Sequence, residues 1–96
     1  MNRRSHTRRL FGDFEIERYY ASRVPDLEQT IHGEWRGRCP IHQGDRPSFA
    51  VDSYTGNWFC HSECQRGGSI FDLEMILGGT DFRGAKINVL KIVEDK

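Results

Sequence analysis

The sequence predicts an α+β domain, a small antiparallel sheet with flanking helices. Three observations predict it. Segments near both ends repeat apolar residues at helical spacing. Between them lie short alternating runs rich in aromatic and β-branched residues, which suit strands. Pro25, Gly33, Gly56, Gly67-Gly68 and Gly78-Gly79 punctuate the boundaries. At 96 residues the chain has room for one domain.

A first helix is expected from Asp13, with Asp13 as its cap and Glu15 and Glu17 near the positive end of the dipole. Phe14, Ile16, Tyr19, Tyr20 and Val24 form its apolar face. Pro25 stops it, because the residue before a proline is pushed out of the α region. Leu27 to His32 reads as a strand with Leu27, Gln29 and Ile31 on one face. Gly33-Glu34 is a turn, and Trp35 to Cys39 returns. Gly44 to Pro47 is a polar loop. Ser48 to Ser53 is a third strand, joined through Thr55-Gly56-Asn57 to its partner, Trp58 to Cys60.

Gly67-Gly68 reads as an exit leading to a helix start. Ser69 is a good N-cap, with Asp72 three residues later. Ile70, Leu73, Ile76 and Leu77 are its buried stripe, and Gly78-Gly79 end it. Thr80 or Asp81 caps the last helix, whose core face is Phe82, Ala85, Val89, Leu90 and Val93. Residues 1–12 lack periodicity and are expected to be a flexible basic tail, leaving 13–96 as the domain. Arg3, Arg4, Arg8 and Arg9 in that tail are either solvated or an arm on phosphates.

Only 36% of residues are hydrophobic, so the core is thin and a metal staple would fit the shortage. No apolar run is long enough to cross a membrane, and no apolar stretch of the secretory type follows the basic N-terminus. The expected location is the cytoplasm. The 14 basic and 14 acidic residues cancel. That balance argues against a nucleic-acid footprint over the whole surface and leaves room for a local patch.

All three cysteines fall in two short pairs. Cys39-Pro40-Ile41-His42 is one, Cys60-His61-Ser62-Glu63-Cys64 the other, and 17 residues separate them. Each pair can grip one metal from a tight turn, and the intervening hairpin brings the turns together. Three thiolates and one imidazole fill the tetrahedral set of a Zn²⁺ ion, leaving no open position, so the ion is expected to be structural. The predicted fold is therefore a zinc ribbon with one Zn²⁺ held by Cys39, His42, Cys60 and Cys64. His61 in place of Cys60 is the alternative; the thiolate is the softer ligand and is preferred.

No nucleophile–base arrangement or carboxylate pair emerges, so no catalytic residue is expected. Gly67-Gly68 lacks the Lys-Ser/Thr of a P-loop. Trp35, Arg36, Arg38, Arg46, Trp58 and Arg66 cluster in sequence around the metal pairs. Aromatics among arginines suit single-stranded nucleic acid, with Trp35 and Trp58 as solvent-facing platforms for bases and the arginines on phosphates. The same aromatics are equally suited to the core of a small domain.

The run Arg38-Cys39-Pro40-Ile41-His42-Gln43-Gly44-Asp45-Arg46-Pro47-Ser48-Phe49-Ala50-Val51 resembles the CHC-type zinc finger of bacterial and phage DnaG-type DNA primases. Trp58-Phe59-Cys60, then Cys64-Gln65-Arg66-Gly67-Gly68-Ser69-Ile70-Phe71-Asp72-Leu73, resembles the second half of that pattern. The likeness runs over about residues 13–94. It implies a zinc ribbon that binds single-stranded DNA template and helps choose where an RNA primer starts. It also implies that polymerising chemistry belongs to a separate domain, and nothing in this chain resembles that domain. The implied partners are the template and a polymerising primase domain or a helicase; no membrane is involved. A structural zinc ribbon that docks proteins in a replication complex is the alternative. Two features depart from the pattern. The second pair is C-x3-C where C-x2-C is commoner, and Glu34 and Asp45 stand near positions where basic residues are usual.

Overall fold

A computed structural model describes residues 11–30 and 33–94. Helix α1 (Asp13–Arg23) begins with Gly12, not Asp13, as its N-cap. Gly12 is extended there, and its N–H donates to Glu15 Oε1 at 2.8 Å. Glu15 thus serves a donor that helical geometry leaves without a partner. Val24 turns the chain back to extended backbone ahead of Pro25, as expected. Ile16, Tyr19 and Tyr20 are buried, but Phe14 is 81% exposed.

Five short strands follow: β1 (Glu28–Gln29), β2 (Glu34–Gly37), β3 (Phe49–Asp52), β4 (Trp58–Cys60) and β5 (Gly67–Gly68). They pair in sequence order, all antiparallel. The first strand is shorter than the Leu27–His32 expectation, part of which (Ile31 and His32) lies outside the described residues. Glu34 belongs to β2 rather than to the turn; it pairs with Asp52, and Gly33 turns alone at φ 75°. The fifth strand has no counterpart in the sequence pattern. Gly67 and Gly68 pair with Phe59 and Trp58, an approach that glycine permits because a Cβ at 67 would collide with the Trp58 carbonyl.

The pleat separates two faces. Trp35, Phe49, Val51, Trp58 and Cys60 point inward and join Tyr20, Ile70, Leu73, Val89 and Val93 in one core. Phe49 stacks on Trp58 at 5.3 Å, and Trp58 Nε1 donates to the Ser69 carbonyl at 2.8 Å. Glu34, Arg36, Ala50, Asp52 and Phe59 occupy the other face, away from the helices. Gly37 lets the α1–β1 turn cross β2 closely, since a Cβ would meet Val24 Cγ1 at 2.6 Å.

Helix α2 (Ile70–Gly78) carries the expected capping box. Ser69 Oγ accepts from Asp72 N–H at 3.2 Å, and Asp72 Oδ2 accepts from Ser69 N–H at 2.8 Å. Gly79 closes it at φ 61°. Helix α3 (Phe82–Val93) is capped by Asp81, which accepts from Gly84 N–H at 2.9 Å. Its core face is Ala85, Val89 and Val93. Phe82 is 54% exposed and packs edge-on against Phe71. No described helix is long and apolar enough to cross a membrane.

One buried carboxylate locks the three helices. Glu74 on α2 is fully buried and accepts from Tyr19 Oη at 2.8 Å, Arg23 Nε at 2.8 Å and Nη2 at 2.9 Å, and Asn88 Nδ2 at 3.1 Å. Burial alone would raise its pKa. Hydrogen bonds from Arg23 and Tyr19, with the Arg23 charge, outweigh that and hold it below the usual carboxylate range. The sign follows from linkage. A pKa lower in the folded state gives stability that is complete above the unfolded value, about 4.3. That stability is lost as pH falls through the lower folded value. Glu74→Ala, which strands Arg23 and Tyr19, should therefore cost about 3–5 kcal/mol in urea unfolding at neutral pH. Below about pH 4 the gap from wild type should narrow.

Candidate metal centre

Cys39 and His42 lie just beyond the end of β2, and Cys60 and Cys64 lie at and beyond the end of β4. The β2–β3 and β3–β4 pairings bring these strand ends side by side, with Phe49 facing both Gly37 and Cys60. Each pair sits in a tight turn whose next residue is left-handed: Gln43 at φ 52° after His42, and Gln65 at φ 49° after Cys64. Gly44 N–H donates to the Cys39 carbonyl at 3.2 Å, and Cys60 N–H to the Arg66 carbonyl at 2.9 Å, closing the two turns. His61 N–H donates to the Ser48 carbonyl at 2.8 Å and ties the second turn to β3.

The four ligand-type atoms lie within 4.8 Å of one another. Cys39 Sγ is 3.7 Å from Cys64 Sγ. His42 Nδ1 is 3.2 Å from Cys64 Sγ and 3.7 Å from Cys60 Sγ. A tetrahedral Zn²⁺, with Zn–S about 2.3 Å and Zn–N about 2.0 Å, spaces two sulfurs about 3.8 Å apart and sulfur and nitrogen about 3.5 Å apart. The set fits. All four positions are filled from the protein, so the ion is structural.

The electrostatics call for a cation here. Burial, then contact with Cys39 and Cys60, pushes the Cys64 thiol up to about 12. Burial also opposes ionising Cys60, but the Ser62 and Cys64 backbone N–H groups and the neighbouring thiols together lower its pKa. Three thiols at this spacing do not all ionise without positive charge among them.

His61 is outside the cluster. Its side chain is exposed and packs on Phe59 at 4.8 Å between centroids. Gly44 is a component that the spacing of the pairs does not reveal. A Cβ there would lie 2.6 Å from His42 Nε2, so glycine leaves room for the ring to turn Nδ1 toward the cysteines.

The expected nucleic-acid contacts divide. Trp35 is 6% exposed and Trp58 3%, so neither is a solvent-facing platform. Strand alternation sends both to the core face, where a thin core needs their bulk. Arg36 and Arg38 are half-buried, whereas Arg46 and Arg66 are exposed on the loops of the first and second turns. The exposed aromatic of the outer face is Phe59, which alternation between Trp58 and Cys60 would have picked out.

A family model described as the CHC2 zinc finger, the zinc ribbon of DnaG, matches residues 9–95. This chain belongs to that family. A CHC2 zinc finger needs the Cys-His-Cys-Cys group found here, and the two findings agree on one structural Zn²⁺. Among solved structures, the fold matches the crystal structure of the Aquifex aeolicus primase (zinc binding and RNA polymerase domains) with a TM-score of 0.61 at 23% identity. That match covers 85% of this chain but 21% of the Aquifex chain. No curated protein matches the sequence. The chain is thus a primase-related zinc-binding domain, spanning about a fifth of the primase it matches in fold.

Removal of zinc by a chelator should unfold the domain, visible as loss of near-ultraviolet dichroism from the buried tryptophans. Cys60→Ser should lose most bound zinc, while His61→Ala should keep it; zinc retained in the first and lost in the second would move the fourth ligand to His61. Gly44→Ala should keep the fold of the helices but weaken zinc by tenfold or more, about 1.4 kcal/mol, in a competition titration.

Proposed function

We propose that this domain binds single-stranded DNA template across the outer face of its sheet and presents it to a polymerising domain for primer synthesis. In this reading Cys39, His42, Cys60 and Cys64 hold the Zn²⁺, whose work is to fix the two turns beside that face. The polymerising chemistry lies in another domain, by analogy with the Aquifex primase, which has distinct zinc binding and RNA polymerase domains.

The observation that carries the reading is the exposed aromatic on β4, between β3 and the edge strand β5. Phe59 is 39% exposed, with His61 against its ring and the small side chain of Ala50 beside it on β3. Glu34, Ala50, Asp52, Asn57, Phe59 and His61 line a shallow hollow there. A base stacked on Phe59 would lie over Ala50, a position that a larger side chain would block. Stacking of this kind tolerates any base, because every base has a π-face. Arg46 and Arg66 stand on the two metal turns at the same end of the sheet and supply phosphate contacts; Arg36 faces outward on β2. The buried rings of Trp35 and Trp58 support this surface from the core side, and Trp58 also borders the hollow.

The test is fluorescence anisotropy of the zinc-loaded protein with labelled single strands at two salt concentrations. Binding should weaken as salt rises, with log K falling by about 0.7 per phosphate contact for each tenfold increase. Phe59→Ala should cost about 1–3 kcal/mol. Arg46→Ala and Arg66→Ala should each weaken binding and flatten the salt dependence. Unchanged binding in all three variants would place the strand elsewhere, and no binding at low salt would leave a docking module.

A further inference from the structure

Two of the four arginines near the metal already hold carboxylates. Arg36 Nε lies 2.8 Å from Glu34 Oε1, two residues back on the same face of β2. Its Nη1 also reaches the Pro47 carbonyl at 3.4 Å. Arg38 Nε lies 2.9 Å from Asp26 Oδ2, an ion pair without a hydrogen bond, because that N–H has no hydrogen-bond partner among the described residues. Asp26 comes from the α1–β1 turn, where it is left-handed at φ 58°, and the Arg38 N–H donates to the neighbouring Pro25 carbonyl at 3.0 Å. Glu34 and Asp26 are therefore placed by backbone geometry to meet these guanidiniums. Arg46 and Arg66 are exposed and in no ion pair among the described residues.

Carboxylate and phosphate oxygens compete for the same guanidinium N–H groups. We propose that Glu34 and Asp26 act as internal substitutes for phosphate. They occupy Arg36 and Arg38 and confine the phosphate contacts of a bound single strand to Arg46 and Arg66. The inference rests on the nucleic-acid reading above and adds that the face is self-attenuated. Exposed ion pairs of this kind are worth a few-fold in an equilibrium constant at most. The masking is accordingly weak, and removing it at Glu34 releases Arg36, which already stands on the Ala50–Phe59 face of the sheet.

The zinc-loaded full chain is titrated into a labelled oligothymidylate over a range of salt. Glu34→Gln should tighten binding about two- to fivefold, with Asp26→Asn similar. Each should steepen the salt slope by about 0.7, the value of one added phosphate contact on a single strand. Adding Arg36→Gln to Glu34→Gln should abolish the gain, because the freed guanidinium is its source. Glu94→Gln on α3 changes net charge equally and should give no gain. Bound zinc in each variant confirms that the domain is intact. If wild type binds and the Glu34→Gln/Asp26→Asn double variant matches it in affinity and slope, the inference is overturned and the binding reading survives. An equal gain from Glu94→Gln also overturns it. If neither wild type nor the double variant binds at low salt, the nucleic-acid reading fails and this inference falls with it.

Discussion

Everything at the metal end of this domain depends on four side chains from two turns converging on one cation. Each turn ends in a left-handed residue that is not glycine, Gln43 and Gln65, a conformation that costs free energy for an L side chain. Burial, and then contact with Cys39 and Cys60, holds the Cys64 thiol up, so the three thiols do not all ionise unaided. A divalent ion resolves both problems, because thiolate–metal bonds outweigh the turn strain and neutralise the charge. The strand ends from which the ligands project are held in register by the same bonds. In a chain whose apolar content is low, that linkage joins β2 to β4 where side-chain burial alone is thin.

The far end is held by different physics. Glu74 takes four hydrogen bonds from α1 and α3 at a position with no exposure to solvent. Such a carboxylate is tolerated only when its charge and lone pairs are satisfied, and it then specifies how the helices meet. Gly78 belongs to the same device, since a Cβ there would press on Glu74 Oε2 at 3.0 Å. The domain thus has an ionic lock among its helices and a metal lock among its turns, joined by the Phe49–Trp58 stack in the core.

The sheet between these locks has one face committed to packing and the other, among the described residues, uncovered by any helix. The committed face takes the largest aromatics, and the uncovered face keeps Phe59, the small Ala50 and a set of charges. Those charges are largely paired on β2 and, among the described residues, unpaired on the metal turns, which orients the surface toward its metal end. A net charge of zero therefore hides a local arrangement in which Arg46 and Arg66 stand exposed on the metal turns.

The amino-acid sequence by itself determined the metal set, the order of the three helices and the first four strands, and the cap at Ser69. Those features rest on short-range spacing: C-x2-H and C-x3-C fit single turns, and Ser69 reaches Asp72 within one helical turn. Only the tertiary structure decided which aromatics face solvent. Trp35 and Trp58 suit either side by pattern; strand register places them inward and Phe59 outward. Tertiary structure also made Gly67-Gly68 a strand, because the approach of the Trp58 carbonyl is a contact between distant segments. It likewise revealed Glu74 as a buried hub, since its partners Tyr19, Arg23 and Asn88 lie on other helices. It paired Arg38 with Asp26, twelve positions apart, by folding the α1–β1 turn against β2. Local spacing carries no information about such contacts until the chain has closed on itself.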